Sequence, residues 1–170
     1  KDAIPVVNHN YYYHKGEPWD EHLATGPGWP AMFLFAPDHP AEEGTSLHTA
    51  SLLTYMNTSE TMRWSDTQTG NRGTDYEDFK KDRADRLLSL ASERIPGLRE
   101  AVAHIEVSTP LTWRDFNGTP DGSMYGILKD FRNPLTSQVN TRTKIPGFYF
   151  TGQNTGIHGL LGVTISSVLT

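Results

Sequence analysis

The chain contains no cysteine at all, which removes disulfides, thiolate metal sites and cysteine nucleophiles together. No apolar run approaches the ~20 residues needed to span a bilayer, and no charged-then-apolar signal segment opens the chain. Lysine and arginine are scattered, and with a formal charge of −5 the chain lacks the clustered cations of a nucleic-acid groove. Its hydrophobic fraction, 36%, is low for a compact protein of 170 residues, so part of its surface is expected to be covered by further chain. Lys1 stands where a methionine would open a gene product, and Thr170 falls inside a helical pattern, so both ends read as cut. The seven histidines, at positions 9, 14, 22, 39, 48, 104 and 158, include no i, i+4 pair beside an acid, so no metal site is expected. Asp38, His39, Glu42 and Glu43 sit in a polar loop and read as solvated. A Gly-x-Ser-x-Gly elbow is missing, which argues against a serine hydrolase.

Aromatic residues and glycines are plentiful, and they organise the reading. Tyr11-Tyr12-Tyr13 closes a β-like run that begins at Ile4, Met32 to Phe35 is a compact strand candidate, and Ser46 to Met56 predicts a strand buried on both faces for part of its length. Asn57 to Gly73 is polar, with Trp64 as its one large apolar residue, and reads as a long loop or an excursion over the surface. Thr74 and Glu77 have the spacing of a capping box. Beyond them Phe79, Leu87, Leu88, Leu90, Ala91 and Ile95 form one apolar helix face, ended by Pro96-Gly97. Leu98 to Ala103 reads as another helical turn, His104 to Val107 as a short strand with Ile105 and Val107 inward, and Thr109-Pro110 as the start of a helix running to Phe116. The whole suggests an α+β fold: a mixed or antiparallel sheet with helices on one face.

The last twenty-four residues say most about chemistry. Phe148, Tyr149 and Phe150 predict a short buried strand, Gly152, Gly156, Gly159 and Gly162 punctuate the turn after it, and an apolar helix is expected to start near Gly162. The free N–H groups of such a helix end favour negative charge in the turn. The same pattern also serves as a tight connection in an α/β fold. It is neither a P-loop nor Gly-x-Gly-x-x-Gly.

Three segments taken together resemble the phytoene dehydrogenase-like flavoenzymes, the branch of the FAD-dependent amine-oxidase superfamily that includes bacterial carotenoid desaturases, plant carotenoid isomerases and animal retinol saturases. They are Ser108-Thr-Pro-Leu-Thr-Trp-Arg-Asp-Phe116, Gly122-Ser-Met-Tyr-Gly-Ile127 and Gly147 through Thr164, and their order and spacing match. The His9 to Tyr13 segment also resembles a strand of that family's substrate domain. The resemblance implies that residues 1–146 are part of a substrate-binding domain and that 147–170 are the C-terminal FAD-binding segment. The N-terminal Rossmann unit, with its Gly-x-Gly-x-x-Gly, is missing from this sequence and is the implied partner. Implied cofactor contacts are Thr151, Gly152, Gln153, Asn154, Thr155, Gly159, Leu161, Gly162, Val163 and Thr164. Gln153 stands where many amine oxidases carry an acid.

Trp113, Met124, Tyr125 and His158 are the candidates for the pocket of an apolar, isoprenoid or polyene substrate. Each has a second reading: Trp113 and Arg114 on a surface helix with an Arg114–Asp115 pair, Met124 and Tyr125 in the core, His158 hydrogen-bonded to its own loop. The catalytic residues stay unassigned, because the hydride chemistry would belong to the flavin. The resemblance implies a cytoplasmic protein with room for peripheral membrane contact. The alternative to an oxidoreductase is a non-catalytic α+β binding or assembly module with a structural glycine turn.

Overall fold

The computed structural model describes residues 9–16, 28–37, 48–127, 129–130 and 132–170. The run before His9, the turns around Pro18 and Pro27, and the loop holding Asp38, His39, Glu42 and Glu43 lie outside the described residues, as does His22. The chain divides into two compact units, Lys1–Gly122 and Ser123–Thr170.

In the first unit β1 (Tyr11–His14), β2 (Met32–Pro37) and β3 (Ala50–Leu53) form an antiparallel sheet in the order β1-β2-β3. Tyr13 lies opposite Phe33, and Tyr11 and Leu52 lie opposite Phe35. Side chains alternate across a strand, so Phe33 and Phe35 enter one face together. There they pack with Leu88, Leu90, Ala91, Ile95 and Leu98. Those residues come from α1 (Thr74–Ser92), the turn after it, and α2 (Leu98–Ala101). Full burial of each large apolar side chain contributes about 1.5–3 kcal/mol. Arg94 closes the rim, stacking 4.5 Å above the Tyr13 ring and donating to its hydroxyl at 2.7 Å. The expected α+β class, an antiparallel sheet with helical cover, is what the chain adopts.

A second cluster joins Trp64, Tyr76 and Leu111, with Phe79 packed against it. The excursion from Asn57 to Gly73 is therefore not wholly a surface loop. Two short 3-10 turns, Thr58–Glu60 and Met62–Trp64, fold Trp64 inward, and its indole N–H donates to Asp75 at 2.8 Å. Leu111 comes from α3 (Pro110–Asn117), whose Thr109 and Thr112 make a reciprocal capping box and whose end is Gly118 in the left-handed region. Both boundaries of α3 follow from the Thr-Pro and Asn-Gly signals.

Three expectations in this unit need correction. Thr74 is the first helical residue of α1 and not its cap; Gly73 holds that place at φ 87°, and Glu77 pairs with Lys80 instead. His104 to Val107 forms no strand: Ile105 is exposed, and the His104 and Glu106 side chains approach to 2.7 Å outside the fold. No described strand offers that segment ladder hydrogen bonds, and alternation alone cannot make a strand. Of the strand expected over Ser46 to Met56, the described residues 48–56 form a strand only at Ala50–Leu53. It is an edge, with Ala50 and Ser51 exposed, and beyond it the Thr54 hydroxyl bonds the Met32 carbonyl while the Tyr55 carbonyl accepts from Trp29.

The second unit holds a one-turn helix α4 (Pro134–Ser137), a small hairpin over 141–150, and α5 (Gly159–Leu169). The hairpin rests on a bridge between Arg142 and Tyr149, a Phe150 N–H to Thr141 bond of 2.8 Å, and a turn from Ile145 to Phe148. Pro146 and Gly147, the latter at φ 76°, sit at its two central positions. Phe148, Tyr149 and Phe150 are nearly half exposed, so the expected buried strand is not formed. Among the described residues its only ladder partner is the short arm at Arg142, too small to cover three aromatic rings.

Helix α5 begins three residues before the expected Gly162, and its amphipathicity is inverted. Gly162 and Ser166, one turn apart, face the preceding loop and are buried, while Leu160, Leu161, Val168 and Leu169 are exposed. The expectation of a buried apolar helix is overturned as well: polar bonds to the loop, not apolar burial, set the helix orientation.

Candidate functional site

The candidate cofactor residues all belong to the second unit, where side-chain hydrogen bonds tie the glycine turn to α5. The Gly152 N–H, at φ 102°, donates to the Ser166 hydroxyl at 3.1 Å, and Ser166 in turn donates to the Val163 carbonyl at 2.8 Å. The Thr151 hydroxyl lies 3.4 Å from those of Ser166 and Ser167. Thr155 is buried and closes the turn on itself, donating to the Gly152 carbonyl through its N–H at 3.1 Å and its hydroxyl at 2.9 Å. Gly162 is required where α5 crosses the loop, because a Cβ there would overlap the Ile157 carbonyl. Gly159 admits the chain to the helix at φ 78°, Leu161 is exposed, Val163 half-buried, and Thr164 bonds back to the Leu160 carbonyl at 2.8 Å.

Gly152, Gly156 and Gly159 each have open space on the side where a Cβ would stand. The His158 side chain makes no capping hydrogen bond at the start of helix α5. From Asp130 to the end there is no further acidic residue, and residues 123–170 carry Lys129, Arg132, Arg142 and Lys144 against that one carboxylate. Open backbone, an uncapped helix start and a shortage of acid make a setting that accepts negative charge.

Of the substrate candidates, Tyr125 and His158 meet, their ring centroids 5.8 Å apart. The Nδ1 of His158 lies 3.3 Å from the Gln153 carbonyl, the bond to its own loop that was the second reading of this residue. Met124 is half-buried and Tyr125 exposed. Trp113 belongs to α3 of the first unit and is half-buried there.

Two groups of residues escaped the sequence reading. Gly126 is approached closely by Asn154, whose Oδ1 accepts the Ile127 N–H at 2.9 Å and would overlap a Cβ on Gly126. Lys129, which no motif marks, donates to the Asn154 carbonyl at 2.8 Å. In the first unit, Arg72 is a buried cation that bonds the carbonyls of Trp64 and Thr67, the Thr67 hydroxyl and the Asp115 carboxylate. Asp115 also takes the Thr69 hydroxyl and the Arg114 guanidinium, the latter at 2.9 Å, so the expected Arg114–Asp115 pair is part of a larger network. The Thr69 hydrogen bond, aided by Arg114 and Arg72 and opposed by burial, holds the Asp115 carboxyl below its ordinary value of 3.8. This network joins the 58–72 excursion to α3.

Beside the small antiparallel sheet and the glycine turn stand three relatives. Over 117 residues the chain is 26% identical to the all-trans-retinol 13,14-reductase of Danio rerio, covering 67% of this chain and 19% of that protein. The enzymes of the same name from Homo sapiens and Macaca fascicularis are 29% and 28% identical over 109 residues, covering 62% of this chain and 18% of each. The chain thus spans about a fifth of the length of these curated relatives. These are similarities to named reductases. No family model and no solved structure matches the chain. Among the described residues no helix is long and apolar enough to cross a membrane, and no three His, Asp or Glu residues gather as a metal site would require.

Proposed function

We propose that this chain is the C-terminal part of an FAD-dependent oxidoreductase of the phytoene dehydrogenase-like group that acts on an apolar isoprenoid or polyene substrate. The observation that carries the reading is the uncapped start of α5 above a glycine turn with open backbone and no acid, in a chain similar to retinol reductases. Bound flavin would supply the redox step, by hydride transfer at its N5 or by assisting isomerisation. Residues 147–170 form the FAD-binding segment in this reading, and 1–146 contribute to the substrate domain.

Thr151 to Thr155 would approach the pyrophosphate and ribityl chain, while Gly159 and Leu161 to Thr164 would lie at the pyrimidine end of the ring system. Amides at the α5 start favour negative charge on the reduced flavin, and the open glycine faces admit a ring edge. Gln153 contributes a neutral amide side chain there. Met124, Tyr125 and His158 would border the substrate. Phe148, Tyr149, Phe150 and the outer face of α5 would be covered by the nucleotide-binding unit that precedes this chain, and polyene solubility favours work at a membrane surface.

The test is flavin content. Full-length protein, purified and reconstituted with FAD, is expected to show the absorbance of a bound flavin, whereas the isolated chain titrated with FAD in a calorimeter shows no measurable heat of binding. Full-length protein that stays colourless after reconstitution refutes the proposal and leaves a non-catalytic module in its place.

A further inference from the structure

One residue, Asn154, connects the glycine turn to the segment that carries Met124 and Tyr125. Its side-chain oxygen accepts the Ile127 N–H at 2.9 Å, and its main-chain oxygen accepts from the Lys129 ammonium at 2.8 Å. Gly126, just before Ile127, lies so close that a Cβ would overlap the Asn154 side-chain oxygen and crowd the Gln153 carbonyl. Lys129 also donates to the Ser137 carbonyl at 3.3 Å, and the Ser137 hydroxyl accepts the Asp130 N–H at 3.1 Å. The ammonium therefore fastens three stretches: the 124–130 segment, α4 and the turn.

Its charge is not balanced. An ammonium has three donors, and here two go to neutral carbonyls, which orient it without cancelling it. Among the described residues no carboxylate pairs with it. Asp130, the one acid of this unit, accepts the Arg132 N–H at 2.9 Å. A partly exposed cation held by two carbonyls without a counter-charge, at a turn already short of acid, keeps its positive charge available to a neighbour. It suits a site that an anionic ligand completes.

We infer that Lys129 is a positioning residue: it holds the Asn154 turn in register with the Met124–Ile127 segment, and its unneutralised charge favours the anionic reduced form of the flavin. The second half rests on the flavin reading; the first does not. Full-length protein carrying K129M, K129Q or K129R tests both. Hydrogen exchange of the amides from Gly152 to His158 is expected to rise about tenfold in K129M, less in K129Q, and to return towards the parent rate in K129R. The midpoint potential of the bound flavin is expected to become more negative in K129M and K129Q and to recover in K129R, which a merely structural role would not produce.

Unchanged exchange in K129M overturns the positioning role. Equal potentials in all four proteins overturn the electrostatic one. Should the unsubstituted protein bind no FAD, the flavin reading fails by itself, and the exchange series still decides whether Lys129 holds the turn.

Discussion

Replacing Arg72 with methionine keeps most of its volume and deletes its charge and its donors, and the structure permits the cost to be worked out. Its side chain is only 4% exposed, and it bonds two backbone carbonyls, those of Trp64 and Thr67, besides the Asp115 carboxylate. Each carbonyl left dry costs about 1–3 kcal/mol, and the low end applies because water can enter the space the guanidinium leaves. Breaking a buried pair costs about 3–5 kcal/mol when the remaining charge is uncompensated. Asp115 keeps Arg114 and Thr69 and is 21% exposed, so about 2 kcal/mol is the appropriate share. The total is about 4 kcal/mol, a fall in midpoint temperature on the order of 15 °C for a unit of this size. Urea unfolding followed by tryptophan fluorescence reads this unit selectively, because Trp19, Trp29, Trp64 and Trp113 all lie before Gly122. In the double variant R72M/D115N, removing both charges should return about 1–2 kcal/mol of the loss. A loss below about 1 kcal/mol for R72M would refute the claim that this network ties the excursion to α3.

Two further perturbations follow from the same geometry. Asp115 titrates below its ordinary value of 3.8 in the folded protein, so its ionised form contributes stability that is complete above that pH and is lost as pH falls towards the lower folded value; urea unfolding between neutral pH and pH 3 should show this loss, and D115N should flatten it. Gly162→Ala sets a methyl group against the Ile157 carbonyl, and the helix propensity gained, about 1 kcal/mol, is outweighed by displacement of α5 costing about 1–3 kcal/mol; faster amide exchange from Ile157 to Ser166 is the expected readout, and unchanged exchange would show that the helix does not rest on that carbonyl.

Local signals in this sequence were legible wherever one short-range contact decides the outcome. The Thr109-Pro110 start and Asn117-Gly118 end of α3 are such cases, as is the apolar face of α1, because capping and helical periodicity act within a turn or two. Thr74 and Glu77 show the limit: their spacing was right, but Gly73 at positive φ took the cap position, and spacing carries no backbone angle. Arg72 and Lys129 were invisible because a cation in a polar stretch has no periodic signature, and only the folded chain brings carbonyls around it. The error at Phe148 to Phe150 and along α5 has a different cause. Hydrophobicity states that a surface seeks cover but not what supplies it, and within the second unit Ser166, Thr155 and Asn154 settle the arrangement through hydrogen bonds. For the site, the positions of the glycines were legible, and the contact of Gly126 with Asn154 was not.

The closure of the glycine turn upon itself has a kinetic meaning. Thr155 bonds the Gly152 carbonyl twice and Ser166 holds the Gly152 amide, so the backbone that a ligand would meet is already immobilised before the encounter. Ordering a loop on binding costs conformational entropy and slows productive association, and a turn that its own hydroxyl groups have preorganised escapes both costs. Among ligands of this turn, differences in affinity should therefore be written mainly in how slowly each one leaves.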